Sequence, residues 1–221
     1  MLRGISNTTT IKLAPDISFK GLKENLRLGE QVLKDFKREY PNVKSNVLVD
    51  VKASAHEDDP RYQKLLPRLR KVESVYAKGV NEYRKKRLLT PYSSVDDYVR
   101  ELKTDFSAGG FANCQARAVV IESELHKRGV TPCNIGVEFP DSRTGFVRSS
   151  KSHVFTVFGL KKDARTKEPG TWGQEAVIVD AWAGIVMPAR EAIDYYKILF
   201  RHSPAQEDVK FRLKKTKDLI L

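Results

Sequence analysis

Cys114, His153 and Asp180 are the residues of this 221-residue chain whose types and settings suit covalent chemistry on a carbonyl. Cys114 follows a glycine pair, Gly109-Gly110, and stands at the expected start of a helix. Helix N-termini carry exposed N–H groups and a partial positive charge, which favour thiolate over thiol, and the thiolate is the nucleophile. His153 opens an apolar strand in the stretch SHVFTVFGL, at a position where Val or Ile is the ordinary core residue. The other histidines are placed differently: His56 in an acidic loop, His126 on a polar stretch of helix, and His202 near the tail. Asp180 ends a second apolar run, AVIVD. A carboxylate at the end of a buried strand is costly unless it has a partner. An imidazole is the natural one, because the carboxylate fixes its tautomer and stabilises the imidazolium. Trp182, two positions on, is placed to cover that bond. Taken singly, each residue has a plainer reading: a small buried hydrophobe, a satisfied core histidine, a strand-end turn cap.

These side chains need rigid elements behind them. The spacing of Leu22, Leu26, Leu33 and Phe36 predicts an amphipathic helix over 21–39, ended by Pro41. A second helix is expected over 61–87, with Pro67 near its start or at a kink. Ser94 should cap a short helix over 95–103, with Asp96 and Asp97 favourably placed in its first turn. Cys114 opens a helix with Ala118, Ile121 and Leu125 on one face and Gly129 as its stop. Three strands follow, over 134–139, 153–160 and 176–180, separated by loops at 140–152 and 161–175. Pro188 precedes a last helix over 189–200, and the tail beyond His202 is basic. The fold class is α+β, helical in its first half and mixed in its second.

Composition narrows the partners. Hydrophobic residues make up 40% and charged residues 31%, a globular balance. No apolar run approaches the roughly 18 residues of a transmembrane helix. Lacking a signal-peptide pattern, the chain is expected in the cytoplasm, or to leave by a route independent of such a signal. The net charge of +12 is unevenly spread: residues 1–88 hold 20 Lys and Arg against 11 Asp and Glu, the rest 20 against 17. A basic front half suits nucleic acid, anionic lipid or an acidic protein partner, or simply a solvated helix face. Cys114 and Cys133 flank a helix and lie roughly 20 Å apart by helix rise, which argues against a disulfide or a metal site shared with His126 and His153. Neither a metal nor any other cofactor is expected.

The order of these residues resembles the papain-like and transglutaminase-like superfamily of cysteine enzymes. The stretch 152–160 is similar to the strand carrying that superfamily's catalytic histidine. Asp180-Ala181-Trp182 resembles the papain family's Asn-Ser-Trp, and Gly110-Phe111-Ala112-Asn113-Cys114 its small-residue lead-in to the nucleophile. The resemblance spans about residues 105–195 and implies a papain-like core at 105–221 behind a basic helical region at 1–104. It also implies a catalytic Cys114, His153 and Asp180 that attack an amide of a protein substrate. The Asp variant and basic front half look most like bacterial injected effectors, which act on host proteins as proteases, glutamine deamidases or transglutaminases. Papain-type enzymes carry a glutamine shortly before the cysteine, and here Ser107-Ala108-Gly109 holds none. The oxyanion would rest on the Cys114 N–H and the side chain of Asn113 or Gln115. The rival expectation is a non-catalytic basic module, with the 61–87 helix docking on nucleic acid, anionic lipid or an acidic protein.

Overall fold

The computed structural model describes residues 21–45, 94–109, 111–138, 152–199 and 209–216. The helix expected over 61–87, and with it the docking surface of the rival reading, lies outside the described residues, as does nearly all of the 140–152 loop. The described residues form an α+β fold of four α-helices and a five-stranded antiparallel sheet.

Helix α1 (Leu22–Glu39) buries Val32, Leu33 and Phe36 and half-buries Leu22 and Leu26, the face its apolar spacing dictates. It lies on the sheet at Gly29. A Cβ there would stand 2.8 Å from Val186 Cγ1 and 3.0 Å from Val179 Cγ2, so the glycine is what permits the close approach. Helix α2 (Val95–Ser107) begins as its sequence dictates, with the Ser94 hydroxyl accepting from the Asp97 N–H at 3.1 Å. Phe106 at its far end meets Phe36 and Tyr40 edge-on. Both helices therefore share one apolar core with helix α3 (Cys114–Lys127).

Before α3, β2 (Phe111–Ala112) pairs in parallel with β1 (Lys44–Ser45). Five further strands make the sheet: β3 (Cys133–Glu138), β4 (Ser152–Phe158), β5 (Val177–Asp180), β6 (Ile185–Pro188) and β7 (Lys210–Lys214). Their spatial order is β6-β5-β4-β3-β7, every pair antiparallel. Strand alternation divides the core in two. Phe158, Val177 and Val179 face α1 and α3, while Phe155, Val157 and Ile178 face α4 (Ala189–Leu199) with Ala192 and Tyr196.

The connection over 161–175 is ordered despite its charge. Trp172 is buried, donates from Nε1 to the Arg165 carbonyl at 3.0 Å, and packs edge-on against Phe211 of β7. A 3-10 turn at Pro169–Thr171 precedes it. Strands β6 and β7, which the sequence reading left out, complete the two edges of the sheet. Among the described residues no helix is long and apolar enough to cross a membrane.

Candidate active site

Where β5 ends, the sheet opens. The ladder between β4 and β5 covers only Thr156 to Phe158, and the chain turns away after Asp180 through residues 181–184 into β6. The first residues of β4 therefore have no β5 neighbour, and His153 lies among them.

Cys114 sits at the first position of α3, and its side chain is partly exposed. Asn113 caps this helix: its Oδ1 accepts from the Ala116 N–H at 2.8 Å, and its carbonyl accepts the first intrahelical bond from the Arg117 N–H. The N–H groups of Cys114 and Gln115 come ahead of that ladder, pointing out of the helix start as any first-turn donors do. Of the proposed oxyanion donors, Asn113 thus has its side-chain oxygen committed to the cap, and Gln115 is half-buried one residue on.

His153 and Asp180 are each 2% exposed and bonded to one another, His153 Nε2 to Asp180 Oδ2 at 2.6 Å. Since Nε2 is taken by Asp180, the other ring nitrogen is the one left for Cys114, whose side chain hydrogen-bonds His153. Trp182 packs against the imidazole, with ring centroids 4.7 Å apart and the planes tilted by 53°. The structure thus brings Cys114, His153, Asp180 and Trp182 together from α3, β4, β5 and the turn after β5.

Asp180 is fully engaged. Its Oδ1 accepts from the backbone N–H groups of Trp182 at 2.8 Å and Ala183 at 3.0 Å. Its Oδ2 accepts from His153 and from the Tyr196 hydroxyl, both at 2.6 Å. Burial opposes its charge, but the His153 charge and these donors hold the carboxyl below the usual carboxylate range. For His153 burial likewise opposes ionisation. The Asp180 charge and hydrogen bond, helped by Cys114, overcome it and push the imidazole up to about 10.

Two residues that the sequence reading did not single out belong to this cluster. Tyr196 of α4 donates to Asp180 and stacks on Phe155, with centroids 5.0 Å apart and rings nearly parallel. Arg117, three residues after Cys114, is buried and donates to three backbone carbonyls: Ala112 at 3.4 Å, Ala181 at 3.1 Å and Val43 at 3.3 Å. A signal for Arg117 was present, since it is the only charged residue between Cys114 and Ile121. Nothing in the pattern of α4 marked Tyr196 over Tyr195.

Cys133, by contrast, opens β3 as a core residue, and burial pushes its thiol up to about 12. No protein-family model matches the chain, and neither a curated protein nor a solved structure matches it.

Proposed function

We propose that this protein is a cysteine-dependent hydrolase or acyl transferase of papain-like architecture, acting on an amide of a protein substrate. The observation that carries the proposal is His153, buried with one ring nitrogen on Asp180 and the side chain of Cys114 as its other partner. A core histidine needs no cysteine at a helix start beside it, and a strand-end aspartate needs no tyrosine and imidazole on one oxygen.

The chemistry follows from those contacts. The Cys114 sulfur, its proton held by His153, attacks the amide carbonyl, and the C–S bond forms as negative charge moves to oxygen. The backbone N–H groups of Cys114 and Gln115 stand ready for that charge. Collapse breaks the C–N bond, with His153 giving its proton to the departing nitrogen. The resulting thioester is opened by water that loses a proton to His153, or by an amine. A glutamine side chain gives deamidation with water and cross-linking with an amine, and a backbone amide gives cleavage. We favour the glutamine side chain, on the resemblance of Asp180-Ala181-Trp182 to the Asp-containing effector group. That resemblance also suggests a bacterial effector acting on a host protein.

The test is alkylation by iodoacetamide from pH 5 to 9 of the wild type, Cys114→Ala and His153→Ala. Cys114 should label rapidly at pH values where a free thiol scarcely reacts, and His153→Ala should slow it by about tenfold or more at pH 6. Labelling of Cys114 no faster than a free thiol, or labelling chiefly at Cys133, contradicts the proposal.

A further inference from the structure

A guanidinium that is buried without a carboxylate is unusual, because removing a charge from water is costly unless it is paired and hydrogen-bonded. Among the described residues, all three hydrogen-bond partners of Arg117 are neutral carbonyls. Their locations are informative. Ala112 lies two residues before Cys114, Ala181 directly follows Asp180, and Val43 precedes the β1 strand that pairs with β2. One side chain therefore ties the lead-in to the nucleophile to the segment carrying the carboxylate.

The charges around it complete the picture. With Cys114 as thiolate, His153 as imidazolium and Asp180 as carboxylate, the triad carries one net negative charge. Arg117 brings the cluster to neutrality. We propose that Arg117 is a positioning residue of the Cys114 site, whose buried positive charge offsets the negative charge that appears when Cys114 loses its proton beside the His153 imidazolium. Burial lowers the proton affinity of this guanidinium below its usual value, with the nearby Asp180 and Cys114 charges opposing it. Its bonding fork adds a mechanical part: with Ala112 and Ala181 held on one group, Cys114 and Asp180 keep their separation through turnover.

This inference rests on the triad proposed above, and its test separates the two. Alkylation of Cys114 is followed against pH in the wild type, Arg117→Gln and Arg117→Lys, with thermal unfolding recorded for each. Lysine keeps the charge without the fork; glutamine keeps hydrogen bonding without the charge. The half-labelling pH of Arg117→Gln should rise by about one unit, a tenfold loss of thiolate, while Arg117→Lys stays near the wild type. Both variants should lose thermal stability, because neither spans all three carbonyls. A purely structural arginine predicts lower stability in both with no movement of the half-labelling pH in the glutamine variant, which overturns the inference and leaves the triad standing. Should Arg117→Gln not fold, Arg117→Met takes its place as the neutral variant: a midpoint about one unit above that of Arg117→Lys supports the charge balance, and equal midpoints overturn it. A wild-type protein without low-pH labelling removes the triad itself.

Discussion

Two carboxylates flank the helix–sheet interface, Asp180 buried and Glu122 half-buried, and their proton affinities are shifted in opposite directions. Asp180 meets an imidazole, a phenol and two backbone N–H groups, and stays ionised despite its burial. Glu122 of α3 meets only neutral donors: Asn134 Nδ2 at 2.8 Å and the Thr216 hydroxyl, both on Oε2. Burial then prevails over the Thr216 hydrogen bond and pushes Glu122 up to about 7. Neutral donors alone leave Glu122 with a raised proton affinity, whereas the His153 cation within bonding distance holds Asp180 below the usual carboxylate range. Burial of an acidic group is thus a poor marker of a site, and its charged partner is the informative one. Around Asp180 that partner is also in contact with the Cys114 side chain.

The largest effect should come from breaking the paired member. Asp180→Ala leaves His153, Tyr196 and two backbone donors facing a void, and should cost about 3 to 5 kcal/mol in urea unfolding at pH 6. A loss below about 1 kcal/mol would mean that the pair is not formed. Glu122→Gln runs the other way. The folded-state proton affinity of Glu122 is raised, so its ionisation costs stability progressively as pH rises from about 4.5 to about 7. The variant should therefore be more stable than the wild type by about 3 kcal/mol at pH 8 and equal to it near pH 4. Unfolding curves at the two pH values check this, and an identical difference at both contradicts it. Smallest is Tyr196→Phe, which removes one charge-assisted donor to Asp180 and should cost about 1.5 kcal/mol. It should leave the alkaline limb of alkylation or turnover in place, because His153 retains its carboxylate.

The two residues also set opposite pH dependences for the wild type. His153 is raised from 6.5 to about 10, so the stability its pairing contributes is full below about 6.5 and gone once pH has risen through about 10. Asp180 is held below 3.8, so its share is present above that value and is lost as pH falls through the lower folded-state value. Between about pH 8 and 9, above the Glu122 range and below that of the buried Cys133 thiol, the His153 contribution is the largest change. A decline of stability over that range should vanish in His153→Ala.

The sequence carried the α+β class and the starts of the long elements because those depend on local chemistry. Ser94 and Asn113 cap α2 and α3, and the apolar spacing of α1 faces the core. The three inner strands were legible as apolar runs, correct to within one or two residues. The edge strands were not. The Ile185–Pro188 run is short and only half-buried, and in Lys210–Lys214 the alternation of charge with Phe211 and Leu213 is hidden in a basic tail. Both depend on neighbours supplied by the fold. Within the site, Cys114, His153, Asp180 and Trp182 were readable from residue type at an element boundary. Tyr196 reaches Asp180 across 16 positions and Arg117 reaches Ala181 and Val43 across 64 and 74, so local spacing could mark Arg117 as a lone charge but not name these partners. The charged 161–175 segment shows the same limit, since the Trp172–Phe211 contact that anchors it joins distant parts of the chain.

The central claim is that His153, held by Asp180, maintains Cys114 as its ion-pair partner. Ultraviolet thiolate absorbance measures this directly, taken against pH as the difference between the wild type and Cys114→Ser. The account predicts a thiolate signal already present at pH 6, where His153→Ala shows none. A wild-type signal that appears only in the range of a free thiol, and that His153→Ala leaves unmoved, would contradict it.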